Sequence, residues 1–289
     1  MEDRLLDSDF LKKLNGFKLN TNIILNKGYS GERKSKSKGD SVEFSDFREY
    51  TPGDDFRKID WNAYGRFEKL FIKLFMEERE SLINIFLDSS KSMDFGEFNK
   101  SFISKKIALA LGYIGISGLD RVNLYTIEGE NLQDMGYIKG KNSLNRLIGY
   151  LDNIKFNSIY DLFKSIEKKT YKRGISIIIS DLFTENLEDT IKYLSYMNQS
   201  IIIIHVLSKE ELKPKIMGDV RLIDSETLED KDISITPKIL DAYNKNLDLY
   251  LNNVKEISRK YGCFYSLIST EVSMDKILFD NLIRTGILR

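Results

Sequence analysis

From residue 81 to the C-terminus, the apolar residues of this chain follow two alternating patterns. Short apolar runs at 82–87, 175–179 and 201–207 have the length and branched side chains of buried strands. Between them, apolar residues recur every three or four positions, as in a helix that buries one face. Strand and helix in alternation predict a mostly parallel sheet covered on both faces.

Local signals set the expected ends of these elements. Gly118 closes the helical pattern that follows the first strand, and Thr236 followed by Pro237 is typical of a helix start. Gly262 ends that helix, and a last strand is expected at 263–268. We therefore expect a doubly wound α/β domain over residues 81–289. The remaining expected elements are a strand at 122–127 and helices at 144–151, 162–166, 187–194 and 276–283.

Residues 1–80 have a different pattern. Two β-prone stretches, 41–47 and 70–76, predict a small β-rich N-terminal appendage. A basic run lies before them, but it lacks the spacing of a phosphate-binding loop, so a solvated loop is favoured over a phosphate site. The run contains Lys27, Arg33, Lys34, Lys36 and Lys38.

Composition narrows the functional classes. The 44 basic and 44 acidic side chains cancel, so no global field favours nucleic acid or anionic lipid. Residues 1–10 lack the apolar segment of a signal peptide, and the apolar stretch 107–116 is too short to span a bilayer. We expect a cytoplasmic protein without membrane insertion. Its one cysteine, Cys263, is expected to be buried, and its one histidine, His205, to be a hydrogen-bonded core residue rather than a catalytic base.

The strongest chemical signal directly follows the strand at 82–87. Asp88, Ser90 and Ser92 form an Asp-x-Ser-x-Ser motif at its carboxyl end. In open α/β sheets, ligands bind outside the carboxyl ends of strands, where the strand order reverses. Carboxylate and hydroxyl oxygens suit a small divalent cation. The alternative is a turn whose side chains cap the next helix.

A second carboxylate is expected at the same edge of the sheet. Asp181 follows the strand at 175–179, and parallel neighbouring strands would bring it near Asp88. These two residues with Ser90, Ser92 and water could complete the octahedral shell of Mg²⁺, or of Mn²⁺. A third loop could add the hydroxyl of Ser158, whereas Asp161 is more simply explained by a helix start.

A dense cluster of charges lies in the N-terminal appendage, around the turn sequence at 51–54. Arginines and aspartates there could form ion pairs that clamp the appendage onto the sheet, or Arg57 and Trp61 could anchor an interface. The ion-pair interpretation is favoured. The charged residues are Arg48, Asp54, Arg57, Asp60 and Arg66.

These motifs resemble those of two known groups of domains. The Asp-x-Ser-x-Ser motif with Asp181 resembles the metal-ion-dependent adhesion site of von Willebrand factor type A domains. Several motifs in order also resemble the bacterial family known as domain of unknown function 58: Glu43-Phe44, Arg48-Glu49-Tyr50, Pro52-Gly53-Asp54-Asp55, Arg57 to Trp61, Glu78-Arg79, Val206 to Leu212 and Leu222 to Thr227.

The resemblance implies a von Willebrand A-like domain that acts as a non-enzymatic binding module or adaptor beside a MoxR-type AAA+ ATPase, with an unknown client protein. There are two departures from the type A pattern. Ser158, or Tyr160 in another register, stands where a threonine is usual, and Leu182 replaces a glycine. The alternative function is a magnesium-dependent phosphoester hydrolase, with Asp88 and Asp181 holding a catalytic cation.

Overall fold

The computed structural model describes residues 8–20, 42–77, 80–224 and 229–289. Their helices and strands follow one another in this order: α1 (Ser8–Leu14), β1 (Val42–Glu49), α2 (Trp61–Phe67), β2 (Phe71–Glu77), β3 (Leu82–Leu87), α3 (Lys100–Ser117), β4 (Arg121–Glu128), β5 (Asn131–Asp134), α4 (Leu144–Asn153), α5 (Leu162–Glu167), β6 (Gly174–Ser180), α6 (Leu187–Tyr196), β7 (Gln199–Leu207), α7 (Lys209–Leu212), β8 (Gly218–Ile223), β9 (Asp230–Ile235), α8 (Pro237–Lys260), β10 (Phe264–Ser269), α9 (Met274–Lys276) and a π-helical segment (Ile277–Leu282).

The larger unit is built on a six-stranded sheet in the order β10–β7–β6–β3–β4–β5. Neighbouring strands are parallel except for the edge pair β4 and β5, which is antiparallel. The expected doubly wound, mostly parallel α/β fold is therefore confirmed. The chain passes from β3 to β4 on one side and then returns to β6 on the other, so the strand order reverses between β3 and β6.

The two faces of this sheet are buried in separate hydrophobic clusters. Ile83 and Ile85 of β3 point into the cluster that contains the apolar residues of α3. Phe86 of the same strand points into the opposite cluster, with Leu162 of α5 and Ile191 of α6. Successive side chains of a strand alternate between faces, so nearly continuous apolar strands indicate helices on both sides.

One glycine permits the close pairing of β3 and β6. A Cβ atom added at Gly174 would lie 2.3 Å from the carbonyl oxygen of Leu82. Both residues are the first of their strands. This approach fixes where the two strands that lead to the candidate site begin to pair.

The chain divides into two units, one of Met1–Gly28 with Ser81–Arg289 and one of Tyr29–Glu80. The sequence-based boundary placed all of residues 1–80 in the appendage, whereas the described residues 8–20 group with the larger unit. Lys18 and Arg289 exchange backbone hydrogen bonds of 3.0 Å, and Leu14 and Leu19 are buried in the main core. A short helix followed by two apolar residues, Phe17 and Leu19, gives little sequence signal for such a contact.

The smaller unit pairs β1 with β2 in an antiparallel hairpin and carries α2 between them. Its β-rich character agrees with the sequence pattern, although α2 was not expected. Asp60 caps α2 by accepting hydrogen bonds from the backbone nitrogens of Asn62 and Ala63, at 2.9 and 3.3 Å. Ile59 and Ile72 are buried.

Other elements also differ from the sequence-based expectation. The β8–β9 hairpin, the edge strand β5 and the short helix α7 had no strong periodic signal. Cys263 is partly rather than fully buried. In the described part of the chain, no helix combines the length and apolar character needed to cross a membrane.

Candidate functional site

The candidate site begins where β3 ends. The backbone nitrogen of Asp88 donates to the carbonyl oxygen of Ile179 at 2.9 Å, which extends the β3–β6 pairing by one residue. One carboxylate oxygen of Asp88 accepts a hydrogen bond from the nitrogen of Ser90 at 2.9 Å, and the other accepts one from the hydroxyl of Ser180 at 2.6 Å. Asp88 is thus held in one orientation by both strand ends.

The two motif serines lie side by side in the turn that follows. Ser90 precedes a single 3₁₀ turn, and its Oγ lies 3.0 Å from the Oγ of Ser92. An octahedral Mg²⁺ with bonds of about 2.0–2.1 Å requires neighbouring ligand oxygens about 2.9 Å apart. The spacing of the hydroxyls and the chemistry of the donor set therefore fit such a cation.

A third loop joins the motif through Ser158. The backbones of Ser90 and Ser158 form a parallel bridge, flanked by a hydrogen bond of 3.0 Å from the nitrogen of Lys91 to the carbonyl oxygen of Ser158. Ser158 is buried, and its hydroxyl accepts a hydrogen bond from the nitrogen of Tyr160. Of the two registers left open by the sequence, the structure therefore pairs Ser158 with the motif.

Asp181 lies at the end of β6, beside Asp88, and its charge acts on that neighbour. Its second partner was not expected: Oδ2 accepts a hydrogen bond from the ammonium of Lys100 at 2.8 Å. Lys100 is fully buried and also donates to Glu211 at 2.6 Å. Nothing local in the sequence indicates this cluster, because Lys100 is 81 residues from Asp181 and 111 residues from Glu211.

The loop after β6 has no glycine, but one of its residues adopts a backbone conformation that usually requires glycine. Leu182 has a φ of 60°, in the left-handed region, and its side chain is completely buried. For a non-glycine residue this conformation costs roughly 1–2 kcal/mol. Asp161 caps α5 and also accepts hydrogen bonds from Thr184 and Asn186 at 2.8 and 2.6 Å, which ties this loop to the start of α5.

The electrostatics of the site favour the arrival of positive charge. Burial and the nearby Asp181 carboxylate raise the pKa of Asp88 to about 6. At neutral pH, Asp88 therefore carries its charge at a cost that a bound cation would offset. In the described residues, no group of three or more His, Cys, Asp and Glu side chains could hold a metal, so serine hydroxyls and water would have to complete the shell.

His205 is a core residue, as expected. Its ring is fully buried, and Nδ1 lies 2.9 Å from the hydroxyl of Tyr265. Burial lowers the pKa of His205 to about 4, so the ring is neutral at physiological pH. A buried, neutral ring bound to a tyrosine is poorly placed to remove a proton from a ligand at the surface.

Exposed aromatic and aliphatic side chains lie on the loops around these polar groups. The rings of Phe95 and Phe183 both lie with their centroids 5.9 Å from the ammonium of Lys100. Ile159 and Tyr160 directly follow Ser158. We call the following exposed residues the apolar rim: Phe95, Phe98, Ile159, Tyr160 and Phe183. The sequence shows these residues, but not that their loops meet.

The charged cluster of the smaller unit forms local contacts. Arg48 donates to both carboxylate oxygens of Asp54 at 2.8 and 3.0 Å. Arg57 pairs with Asp55 at 3.4 Å and is almost fully exposed. The basic run at 27–38 and the motifs at 78–79 and 225–227 lie outside the described residues.

Some solved structures align with much of the chain at low sequence identity. The conserved hypothetical protein BatB from Bacteroides thetaiotaomicron is 12% identical, with a TM-score of 0.43, over 71% of this chain and 98% of its own. An aerotolerance-related membrane protein from Bacteroides fragilis is also 12% identical, with a TM-score of 0.41, over 71% of this chain and 99% of its own. The SpRpn10 VWA domain is 15% identical, with a TM-score of 0.34, over 44% of this chain and 76% of its own.

Sequence relatives and a family model each match most of this chain. Uncharacterized proteins from Mycobacterium tuberculosis and Mycobacterium bovis are each 24% identical over 246 residues, which cover 82% of this chain and 77% of the relative. The family described as Protein of unknown function DUF58 matches residues 46–248. This range is more than half of the 289 residues; it begins within β1 and continues past β7 into α8. The chain therefore belongs to the DUF58 family.

Proposed function

We propose that this protein is a non-enzymatic, metal-assisted protein-binding module that works with a MoxR-type AAA+ ATPase on a client protein, as in the assembly or maturation of other proteins. The main support is the convergence of Asp88, Ser90 and Ser158 on one edge of the sheet, where the strand order reverses. In open α/β sheets this edge is the usual place for a ligand. As part of the proposal, the protein works in the cytoplasm.

The residues proposed to hold Mg²⁺ or Mn²⁺ are Asp88, Ser90, Ser92 and Asp181. Hard oxygen ligands and a 3.0 Å spacing of the two serine hydroxyls support an octahedral cation. When bound, the cation would supply an open coordination position for a carboxylate of the partner. Ser90 and Ser92 would fix its position, and Asp88 would compensate its charge.

The apolar rim supports a protein as the ligand. Phe95, Phe98 and Phe183 are between 48% and 52% exposed, on loops that border the polar centre. Protein interfaces concentrate their binding energy in buried aromatic anchors surrounded by polar contacts. An acidic side chain flanked by apolar residues would match both the cation and the rim.

The alternative is a magnesium-dependent phosphoester hydrolase, which would use the same cation as a Lewis acid. Hydrolysis also needs a group that removes a proton from water near the substrate. His205 is buried and bound to Tyr265, so the adaptor function is favoured.

The test is binding of a MoxR-type ATPase to the full chain, with Mg²⁺ held constant because the ATPase needs it for nucleotide. Ser90→Ala and Ser92→Ala should each weaken binding about ten-fold, the loss of roughly 1.4 kcal/mol expected for one hydroxyl ligand. Each removes a partly buried hydroxyl, so the fold should persist.

Ser195→Ala is the matched control. Ser195 lies near the C-terminal end of α6, four residues before β7 begins, and thus at the opposite edge of the sheet. It should leave binding unchanged. If Ser90→Ala and Ser92→Ala bind the ATPase as strongly as the wild type does, the adaptor proposal is contradicted. If the wild type hydrolyses a phosphodiester and Asp88→Ala does not, the alternative is supported.

A further inference from the structure

Lys100 has an unfavourable position for a lysine. It is the first residue of α3 and is completely buried. A positive charge at a helix N-terminus opposes the helix dipole, and burial of an ammonium group costs several kcal/mol before pairing. An apolar side chain would fill this position at lower cost.

The ammonium is offset by two carboxylates from different parts of the chain. Lys100 donates to Asp181 after β6 at 2.8 Å and to Glu211 in α7 at 2.6 Å. Glu211 also accepts a hydrogen bond from the nitrogen of Ser208 at 2.7 Å, as part of a capping box. The side chain of Lys100 is therefore fixed next to the acidic centre that includes Asp88.

We propose that Lys100 is a built-in cation of this site, which offsets the charge of Asp181 from within the protein and thereby weakens the binding of a divalent cation at Asp88, Ser90, Ser92 and Asp181. This inference rests on the metal role proposed above. Lys100 acts through the charge of the site rather than by contact with the metal. Its consequence is a weak, exchangeable site that a partner's carboxylate would be needed to complete.

Three variants vary the charge of the site in steps. Lys100→Met removes the positive charge, Glu211→Gln removes one negative charge, and the double variant Lys100→Met/Glu211→Gln restores the wild-type balance. Glutamine is also accepted at this position of a capping box. A unit charge within several ångströms of a divalent cation should change its affinity about ten-fold or more.

The experiment is calorimetric titration of the full chain with MgCl₂ alone, after circular dichroism has verified folding. Affinity should be highest for Lys100→Met, similar for the wild type and the double variant, and lowest for Glu211→Gln. A purely structural role of Lys100 would instead weaken binding in both variants that lack it. If Lys100→Met alone does not fold, Glu211→Gln and the double variant still differ only in Lys100, and the double variant should bind at least ten-fold more tightly.

The outcomes separate this inference from the proposed function. Suppose that the wild type binds Mg²⁺, that Ser90→Ala does not, and that removal of Lys100 gives no tighter binding. This result overturns the inference and leaves the metal-assisted function standing. Binding only by the variants without Lys100 supports the inference and overturns a metal role in the wild type. No binding by any variant overturns both.

Discussion

At the scale of single residues, Asp88 and His205 illustrate opposite effects of burial. Burial and Asp181 raise the pKa of Asp88 from 3.8 to about 6, so the folded state binds more protons than the unfolded state between these values. Stability should fall as pH rises from about 4 to 6. Burial lowers the pKa of His205 from 6.5 to about 4, so its contribution to stability rises over nearly the same window.

These two contributions are similar in size and opposite in sign, so in the wild type they largely offset each other. Asp88→Asn removes only the first of them. Relative to wild type, the variant should gain on the order of 3 kcal/mol of unfolding free energy between pH 4 and pH 7, from a pKa shift of about two units. Chemical denaturation in the presence of a chelator, followed by circular dichroism, measures this difference.

Asp248→Asn, at an exposed position of α8, serves as the control and should follow the wild-type profile. A difference between Asp88→Asn and wild type that stays constant from pH 4 to pH 7 would show that Asp88 has an ordinary pKa in the folded protein. The charge argument for a cation at this residue would then lose its basis.

At the scale of elements, Asp60 acts as the N-terminal cap of α2. The side chain of Asp60 is buried and accepts hydrogen bonds from two backbone nitrogens in the first turn of the helix. Asp60→Ala should therefore destabilise the smaller unit by about 1 kcal/mol, the usual cost of removing a helix cap. Asp60→Asn keeps a capping oxygen and should cost only a few tenths of a kcal/mol.

The only tryptophan, Trp61, directly follows Asp60, so its fluorescence during denaturation reports on the smaller unit. A loss of 3 kcal/mol or more in Asp60→Ala would instead indicate a buried ion pair, since removal of one partner strands the other charge. Equal losses in Asp60→Ala and Asp60→Asn would also argue against the cap.

The elements that the sequence predicts well are those with a strong period. β3, β6 and β7 are almost continuously apolar, and α8 has both a capping threonine and an N-terminal proline. The β8–β9 hairpin was missed because its side chains are mainly exposed on both faces. A strand without a buried face has no alternation to detect.

The candidate site was predictable only in those residues that follow recognisable strands. Asp88 and Asp181 each follow a recognisable strand, so the rule for parallel sheets brings them together from sequence alone. Lys100 and Glu211 could not be assigned in this way, because a lysine at the start of a helix usually faces water. Their pairing depends on how α3 and α7 lie against the sheet, which is a tertiary contact.

At the scale of the whole molecule, the larger unit has distinct surfaces at the two edges of its sheet. The carboxyl edge carries the polar centre and the apolar rim. Helix α6 leads into β7 at the opposite edge, where Tyr196 is 80% exposed. Two exposed aromatic residues at opposite edges allow a direct comparison of which surface binds a partner.

Phe183 is the rim residue best placed to test the surface. Its ring stacks on Tyr250 with centroids 5.5 Å apart, yet the residue remains 52% exposed. A ring that is already held by a neighbour loses little entropy on binding. Phe183→Ala should therefore weaken binding of a MoxR-type ATPase by about 1–2 kcal/mol, roughly ten-fold or more.

Tyr196→Ala removes an equally large exposed ring and should leave the affinity unchanged. Surface plasmon resonance at constant Mg²⁺ compares the two variants. A larger loss in Tyr196→Ala than in Phe183→Ala would place the binding surface at the other edge of the sheet, away from Asp88 and the serines.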